Sequence, residues 1–558
     1  MRIEILICIA GLIVFLIVKG ITDSIRRKNN IHNSLIDEWG KIRISDITSE
    51  KLDSVMSYYQ SISDASDVDD ITWNDLDGSE LYNMLNHSES AMGEEVLFSL
   101  LRQPVCDISE LEKRDKIIRY FSDHHEDRMK VQSKLKLVGK DKKTSFFEYF
   151  SKLETVKKQS NLIHYIILLI WLISVIGIIC NIRLGIFLLV FNFVFSVISY
   201  YKRKSEIEAY YFTFNVVLKL LYCAGKLSEL KIPVIQTELD EIKADRKVFD
   251  SFRRNSGIVL SVGGGNILDI IVDYIRMLFH IDLIKFNNMY SFISDHKDTV
   301  LKLYKNTGYI DSMISIASFR QYLSGSGWCV PEFTDGKKSL EFTDAYHPFL
   351  DEPVVNSFSS NGSSTLLTCS NASGKSTFLK MTAINAIFAQ TIVTVTARSY
   401  KTSYFRVMTS IALNDNIFEN ESYFIVEIAS LRRIFESIGD TTILCCIDEV
   451  LRGTNTIERI AASSQILAGL SEKNVLCFAA THDIELAHIL KNRYKNYHFH
   501  ESIVDDNVIF DYILYPGSSK TKNAIKLLGM MGFGEDITEH AEKAAKYFEE
   551  YNIWNIIS

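Results

Sequence analysis

A chain of 558 residues is too long for a single compact core, so its length predicts several domains. The nine cysteines show no CxxC or disulfide-framework spacing, which argues against a disulfide-stapled secreted protein and favours a reducing compartment. A formal net charge of −8 gives little electrostatic support for binding nucleic acid, and the 47% hydrophobic share directs attention to where apolar residues cluster.

Three apolar runs predict helices that cross a membrane. The first covers residues 5–18. The second and third cover 162–180 and 184–201, each is close to the ~20 residues that span a hydrocarbon core, and neither contains a charge. We therefore predict an anchor over 1–30 and a transmembrane hairpin over 161–202. For the hairpin, the alternative is a pair of helices buried in a large soluble core. For the first run, the alternative is a signal peptide.

Basic clusters beside these runs predict the orientation in the membrane. Residues 26–28 follow the first run, Lys157 and Lys158 precede the second, and 202–204 follow the third. All three clusters fall on one side, which is the cytoplasmic side by the positive-inside rule. We expect a multi-pass protein of the cell membrane (inner or plasma membrane), with the N-terminus and the turn at 181–183 outside and all other segments in the cytoplasm.

A phosphate-binding loop is predicted between an apolar strand, 364–369, and a helix, 378–389. In this geometry backbone N–H groups and the helix N-terminus hold phosphate oxygens, Lys375 reaches the β- and γ-phosphates, and Ser376 binds Mg²⁺. Cys369 stands where the motif G-x-x-x-x-G-K-[ST] has its first glycine, so a chance helix start is the alternative. The predicted loop residues are Ser370, Asn371, Ala372, Ser373, Gly374, Lys375, Ser376 and Thr377.

Two further apolar strands end in side chains that suit nucleotide hydrolysis. The strand at 442–447 ends in Asp448 and Glu449, and the strand at 474–480 is followed by His482 after one residue. Because the carboxyl ends of parallel strands meet at one edge of a sheet, these side chains are expected beside the phosphate loop. Asp448 would hold Mg²⁺, Glu449 would orient the attacking water, and His482 would contact the γ-phosphate. Each motif alone could be a solvated turn or a structural histidine.

These motifs, in this order, resemble the MutS family. Ser-Asn-Ala-Ser-Gly-Lys-Ser-Thr-Phe-Leu-Lys, residues 370–380, is similar to the family's Walker A region. Ile-Asp-Glu-Val-Leu-Arg-Gly-Thr-Asn-Thr, residues 447–456, resembles its Walker B segment, and Ala-Thr-His at 480–482 resembles its switch. Glu-Ser-Tyr-Phe-Ile-Val-Glu, residues 421–427, is similar to the family's equivalent of the ABC signature.

The resemblance implies an α/β P-loop ATPase of the ABC-like, MutS domain V type that uses ATP and Mg²⁺. It also implies a homodimer through the ATPase domain, in which Ser422 of one subunit completes the ATP site of its partner. Family members place a ring against adenine just before the P-loop strand, where this chain has Val354 and Val355. Asn356 is expected to help seat the base.

Upstream segments extend the resemblance and give a predicted domain order. Residues 92–104 resemble the start of the MutS core domain, with an ordinary helical bundle as the alternative, and 309–348 resemble the segment joining the lever helices to the ATPase. The predicted fold class is this C-terminal α/β ATPase combined with a mainly α-helical core and lever region and transmembrane helices. The predicted domains are the anchor (1–30), a helical core-like segment (31–160), the hairpin (161–202), a helical lever- or clamp-like segment (203–345) and the ATPase with a C-terminal helical dimerisation element (346–558).

The sequence favours a membrane-anchored, MutS-related ATPase that clamps DNA without recognising mismatches. MutS proteins that repair mismatches carry a Phe-x-Glu wedge in N-terminal domains, and no such tripeptide precedes the core-like segment here. The alternative is a membrane mechanochemical or scaffolding ATPase that acts on a protein partner and not on DNA. The motor of an ABC transporter is a weaker interpretation, because Glu-Ser-Tyr-Phe stands in place of Leu-Ser-Gly-Gly-Gln.

Overall fold

The computed structural model divides the chain into two compact units. The helical unit comprises Met1–Ile62, Asn83–Ser99 and Lys116–Gln321, and the sheet unit comprises Ser63–Tyr82, Leu100–Asp115 and Tyr322–Ser558. Ser63–Tyr82 and Leu100–Asp115, which lie in the predicted core-like segment, thus belong to the same unit as the predicted ATPase. The predicted domain boundaries stay a prediction. The described residues are 2–42, 49–140, 145–152, 158, 160–250, 252, 274–336, 338–368, 373–411, 423–504, 507–518, 525, 528–529, 531–551, 553–554 and 556.

Helices dominate the chain ahead of the first strand, as predicted. They are α1 (Arg2–Asp37), α2 (Ser49–Ile62), α3 (Asp70–Asp75), α4 (Gly78–Leu85), α5 (Ala91–Arg102), α6 (Ile108–Asp123), α7 (His125–Leu135), α8 (Phe146–Lys152), α9 (Leu162–Cys180), α10 (Ile182–Leu227), α11 (Gln236–Lys247), α12 (Ile281–Asp295) and α13 (Lys297–Tyr322).

A buried carboxylate joins α5 to α13 within the helical unit. Asp311 of α13 accepts hydrogen bonds from the main-chain N–H groups of Glu89 and Ser90, at 3.0 and 2.8 Å, in the residues that lead into α5. The first N–H groups of a helix lack partners within it, so an acceptor at this place stabilises the start of the helix. Burial raises the pKa of Asp311 to about 6. The two helices also approach closely, since a Cβ on Gly308 would lie 2.6 Å from the main-chain oxygen of Met92.

The predicted hairpin consists of α9 and α10, but its turn is shorter than predicted. The helices break at Asn181 alone, whose side chain accepts a hydrogen bond from the N–H of Leu184 and so caps α10. The predicted three-residue turn is therefore wrong, because Ile182 and Arg183 already lie in α10. α10 also continues far beyond the apolar run and ends at Leu227.

Two of the described helices are long and apolar enough to cross a membrane. They are Leu162–Cys180 and Ile182–Ile207, and only 17% of the apolar window of each is buried. The first apolar run lies in the helix α1, but its side chains fall largely outside the described part of the structure. A third span therefore stays a prediction.

Within the described residues, the sheet unit contains two sheets. The larger has the order β10-β9-β4-β8-β7-β6, with parallel pairing throughout except between β9 and β10, and the smaller has the order β1-β5-β2-β3. The strands are β1 (Glu332–Phe333), β2 (Leu340–Ala345), β3 (Asn356–Ser359), β4 (Ser364–Thr368), β5 (Ser399–Thr402), β6 (Arg406–Ser410), β7 (Ile443–Asp448), β8 (Val475–Thr481), β9 (Tyr494–Val504) and β10 (Asn507–Pro516). The remaining helices are α14 (Lys375–Thr391), α15 (Tyr423–Glu436), α16 (Thr456–Ser471), α17 (Ile484–Ile489) and α18 (Glu535–Tyr551).

The register of the larger sheet brings three predicted motifs to one edge. Thr368 at the end of β4 pairs with Thr481 at the end of β8, and Asp448 at the end of β7 pairs with Ala480. All five residues of β4 and all seven of β8 are buried, as expected for strands covered on both faces. The prediction that 203–345 is helical is wrong at its end, because β1 and β2 lie there and belong to the smaller sheet.

Candidate nucleotide-binding site

The described part of the phosphate loop has the backbone geometry that the motif requires. Gly374 precedes α14 with a φ of 98°, a conformation that residues with a Cβ rarely adopt. A Cβ on Gly374 would also lie 3.1 Å from the ring of Tyr512. Lys375 is the first residue of α14, so its side chain leaves from the helix N-terminus, where main-chain N–H groups favour anions.

Ser376 and Asp448 come together as the predicted magnesium pair. The hydroxyl of Ser376, in the first turn of α14, donates a hydrogen bond to Oδ2 of Asp448 at the end of β7. Both are oxygen ligands of the kind that Mg²⁺ prefers. The sequence predicted each residue separately, and the structure places them in contact.

Glu449 lies next to Asp448 and is held by two cationic or potentially cationic side chains. Its Oε1 lies 2.7 Å from Nε2 of His482, and its Oε2 accepts a hydrogen bond from Nε of Arg452. Partial burial alone would raise the pKa of Glu449, but the hydrogen bonds from His482 and Arg452 outweigh burial and lower the pKa to about 2. Nε2 of His482 is also 3.5 Å from Nζ of Lys375, so all predicted catalytic residues form one connected group.

A buried glutamate fixes the turn that carries Glu449. Glu427 of α15 is 1% exposed, and its Oε1 accepts hydrogen bonds from the main-chain N–H groups of Leu451 and Arg452. The turn needs such support, because Glu449 and Leu451 both have positive φ, 60° and 61°. For residues with a Cβ this conformation costs about 1–2 kcal/mol each. Burial raises the pKa of Glu427, with the two N–H donors acting in the opposite direction.

The switch strand β8 is tied to the helix that follows Walker B. Asp483, directly after His482, accepts two hydrogen bonds from Arg459 of α16, at 2.9 and 2.7 Å. A bidentate pair of this kind fixes orientation as well as distance. The contact between Arg459 of α16 and Asp483 therefore restrains the backbone next to His482.

These residues line a cavity of about 560 Å³. One side consists of Ser373, Gly374, Lys375, Ser376, Thr377, Asp448, Glu449 and His482. The other includes Leu350, Val354, Asn356 and Tyr512. The amide of Asn356 bonds the backbone of β10, since Nδ2 donates to the oxygen of Tyr512 at 3.0 Å and Oδ1 accepts from the N–H of Leu514 at 2.8 Å. Asn356 thus lies at the cavity, and its amide shapes the bulge that carries Tyr512.

The residues at this cavity fit a nucleotide with its magnesium ion. The hydroxyl of Ser373 is buried at the loop and has no hydrogen-bond partner among the described residues. A buried polar group without a partner is costly, and a phosphate oxygen is a suitable acceptor for it. The Ser376–Asp448 pair offers two oxygen atoms that would serve as ligands for Mg²⁺.

Part of the predicted site lies outside the described residues. This holds for Cys369, Ser370, Asn371 and Ala372 of the phosphate loop and for Ser422 of the signature-like segment. Three residues of the site had no predicted role, namely Glu427, Arg452 and Tyr512. Arg452 and Glu427 stand inside the motifs quoted for the resemblance, but Tyr512 reaches the cavity only through a β-bulge between Phe510 and Leu514, for which the sequence carries no distinct signal.

Comparison with known proteins agrees with this geometry. Residues 365–549 match MutS domain V. The chain is 30% identical over 263 residues to the DNA mismatch repair protein MutS of Persephonella marina, which is 45% of this chain and 30% of that protein. It is 30% identical over 266 residues to MutS protein homolog 4 of Mus musculus (45% and 27% of the two chains) and 27% identical over 219 residues to the DNA mismatch repair protein MutS of Thermus aquaticus (38% and 26%).

The matched part spans less than a third of the length of these relatives. Residues 365–549 lie within the sheet unit, where Lys375, Ser376, Asp448, Glu449 and His482 meet at one cavity. In its C-terminal third, the chain is therefore similar to domain V of the MutS family.

Proposed function

We propose that this protein is a membrane-anchored, MutS-related ATPase that binds and hydrolyses ATP in the composite sites of a homodimer and clamps DNA without mismatch-specific readout. The observation that carries the ATPase part is the convergence of Lys375, the Ser376–Asp448 pair and the Glu449–His482 pair on one cavity. The match of residues 365–549 to MutS domain V supports the same activity.

The chain's own residues have distinct roles in this proposal. Ser373 and Lys375 bind phosphate oxygens, and Ser376 and Asp448 hold Mg²⁺, which supplies charge neutralisation at the β- and γ-phosphates. Glu449, ionised because of its lowered pKa, accepts a hydrogen bond from the attacking water and orients it. His482 and Arg452 each contact one oxygen of Glu449, and each oxygen keeps a further lone pair that can accept a hydrogen bond from the water.

The base side of the cavity is apolar and aromatic. Val354 and Tyr512 both line this side of the cavity and are about half exposed. Asn356 donates a hydrogen bond to the main-chain oxygen of Tyr512, on the bulge of β10. A planar base is stabilised by contact with such surfaces. In this proposal Tyr512 takes the place of the ring that family members carry before the P-loop strand.

The dimer is proposed from the resemblance, in which Ser422 acts on the partner's nucleotide. The helix α18 supports it, since its amphipathic sequence carries exposed apolar side chains such as Ile537, Tyr547 and Tyr551. A second copy of this chain is a natural cover for such a face.

Membrane anchoring is supported by the exposure of the hairpin. A helix pair from a soluble core would be mostly buried, whereas Leu162 is 64% exposed, Phe187 67% and Ile179 83%. Exposed apolar surface on this scale is stable in lipid and costly in water. Alkaline carbonate extraction tests it, because the chain should stay in the membrane pellet. Recovery of the intact chain in the supernatant would contradict the anchor.

Nucleotide binding is tested with the intact protein in detergent. Replacing Lys375 by alanine removes the cation that contacts the phosphates, and we expect ATP affinity to fall by at least on the order of 100-fold. Lys401→Ala, an exposed lysine on β5 paired with Glu332, is the matched control and should bind ATP normally. Equal ATP affinity in all three proteins would refute the site.

One observation favours a second function, in which the ATPase acts on a protein partner and not on DNA. The chain combines a net charge of −8 with an exposed apolar hairpin, and neither feature is suited to holding a phosphate backbone. Retention on matched and mismatched duplex DNA across a salt series, with and without ATP, separates the two. Binding that weakens steeply with salt and ignores the mismatch supports the clamp, and no retention at low salt supports the protein partner.

A further inference from the structure

A short segment far ahead of the nucleotide motifs contacts several elements of the sheet unit. It consists of residues 69–77 and contains the six-residue helix α3, which begins after Asp69. The side chain of Asp69 accepts a hydrogen bond from the N–H of Thr72 at 2.8 Å and caps the helix. We refer to residues 69–77 as the α3 segment.

The α3 segment holds the end of β6, which is an edge strand of the described larger sheet. Thr409 of β6 donates from its N–H to Oγ1 of Thr72 at 3.1 Å and from its hydroxyl to Asp75 at 2.6 Å. Asp75, only 2% exposed, also accepts from the N–H of Ile411 at 2.9 Å. Main-chain groups that an edge strand leaves without a strand partner are thus bonded by the α3 segment.

The same segment contacts α15 through an arginine. Arg433 of α15 donates to Asp69 and, through its other terminal nitrogen, to the main-chain oxygen of Thr409 at 2.5 Å. Its side chain is 20% exposed. Arg433 therefore joins three elements, because it belongs to α15 and bonds both β6 and the α3 segment.

α15 continues this connection to the catalytic turn. Glu427 lies in the same helix as Arg433 and accepts the N–H groups of Leu451 and Arg452, directly after Glu449. At its other end the α3 segment reaches the phosphate-loop helix, since Asp77 pairs with Lys380 of α14 at 2.5 Å. The segment thus contacts both the Walker A helix and the helix that supports the Walker B turn.

We propose that the α3 segment is a positioning element of the ATPase, which sets the catalytic turn at Glu449 through Arg433 and Glu427 of α15. The proposal rests on the proposed ATPase function. Arg433 and Asp69 are positioning residues, because neither lines the nucleotide cavity. Moving α15 shifts the turn that carries Glu449 but leaves the phosphate loop bound to nucleotide, so kcat should change and ATP binding should not.

The test is Arg433→Met in the full-length protein, with Arg432→Met as the matched control. Methionine keeps most of the apolar stem of Arg433 and removes both of its bonds. Arg432 is the neighbouring arginine of the same helix, is 76% exposed and, within the described residues, pairs with Glu436 of its own helix at 2.7 Å. We expect kcat of Arg433→Met to fall on the order of tenfold or more, with ATP affinity changed by less than about twofold. Arg432→Met should match the wild type in both.

A second variant removes the same contact from the other side. Asp69→Asn retains an N-cap acceptor for α3 but loses the charge that pairs with Arg433. It should lower kcat in the same direction, and the double variant should be no worse than Arg433→Met, because both changes break one connection. Arg433→Lys, which keeps the charge, should recover part of the lost turnover.

The outcomes distinguish this inference from the ATPase assignment. A wild-type protein that neither binds nor hydrolyses ATP would refute the proposed function itself. A wild type that turns over while Arg433→Met and Asp69→Asn retain full kcat would overturn the positioning role alone. Parallel loss of ATP binding, kcat and thermal stability in both variants would also overturn it, because a merely structural contact has that effect.

Discussion

At the scale of single residues, the candidate site combines a lysine at a helix N-terminus, Lys375, with an unusual turn. Glu449 and Leu451 are both left-handed at the backbone, and Glu427 stabilises the turn by accepting two of its N–H groups. Leu451 is also 4% exposed and belongs to the core beneath the larger sheet. Its side chain therefore contributes to packing while its backbone is strained.

Two substitutions at Leu451 separate packing from strain. Removing the buried side chain should cost about 2–5 kcal/mol, which exceeds the ~1–2 kcal/mol of backbone strain, so both Leu451→Ala and Leu451→Gly should lower stability. Glycine tolerates positive φ, however, and Leu451→Gly should be more stable than Leu451→Ala by about 1 kcal/mol. Thermal unfolding of the two variants measures this order. A higher thermal stability for Leu451→Ala than for Leu451→Gly, which is the order expected in an ordinary helix or strand, would contradict backbone strain at Leu451.

At the scale of elements, the sequence predicted the helices, strands and site residues that local hydrophobic patterns and known motifs indicate. The strands β4, β7 and β8, the helix α14 and the placement of Asp448, Glu449 and His482 at one edge agree with the prediction. It did not predict that the α3 segment docks on β6, because a six-residue helix has little periodicity and its partners lie more than 300 residues away. The one-residue break at Asn181 was also missed, since the cap decides where α10 begins.

In the helical unit, a buried glutamate connects α5 with α8 and α13. Oε1 of Glu95 accepts the N–H of Phe146 at 2.7 Å, and Oε2 accepts the hydroxyl of Tyr304. Burial raises the pKa of Glu95 from its ordinary value of 4.5 to about 8, although these donors act in the opposite direction. The folded chain then keeps a proton that the unfolded chain loses, so stability falls as pH rises from 4.5 to about 8.

Glu95→Gln tests this dependence on pH. The variant cannot lose the proton, so its Tm relative to the wild type should rise between pH 5 and pH 8, whatever the offset between the two proteins at pH 5. Glu50→Gln, an exposed glutamate in the first turn of α2, is the matched control and should follow the wild type at every pH. Parallel pH curves for Glu95→Gln and the wild type would contradict the raised pKa.

At the scale of the whole molecule, a segment that matches MutS domain V is joined in one chain to a mostly helical region with an exposed apolar hairpin. The described residues of the candidate nucleotide site lie in the sheet unit, and the hairpin lies in the helical unit. The proposed ATPase and the proposed membrane anchor can therefore be tested separately. The proposed ATPase depends most on Glu449, which we propose drives hydrolysis in this chain.

The most direct measurement of that claim is ATP turnover by Glu449→Gln in the intact, detergent-solubilised protein. Glutamine preserves the size of the side chain but cannot serve as a base, so we expect wild-type ATP affinity, turnover lower by on the order of 100-fold or more, and a dimer that stays closed with ATP bound. Glu485→Gln, an exposed glutamate in the first turn of α17, should hydrolyse ATP normally. Turnover by Glu449→Gln at the wild-type rate would contradict the account.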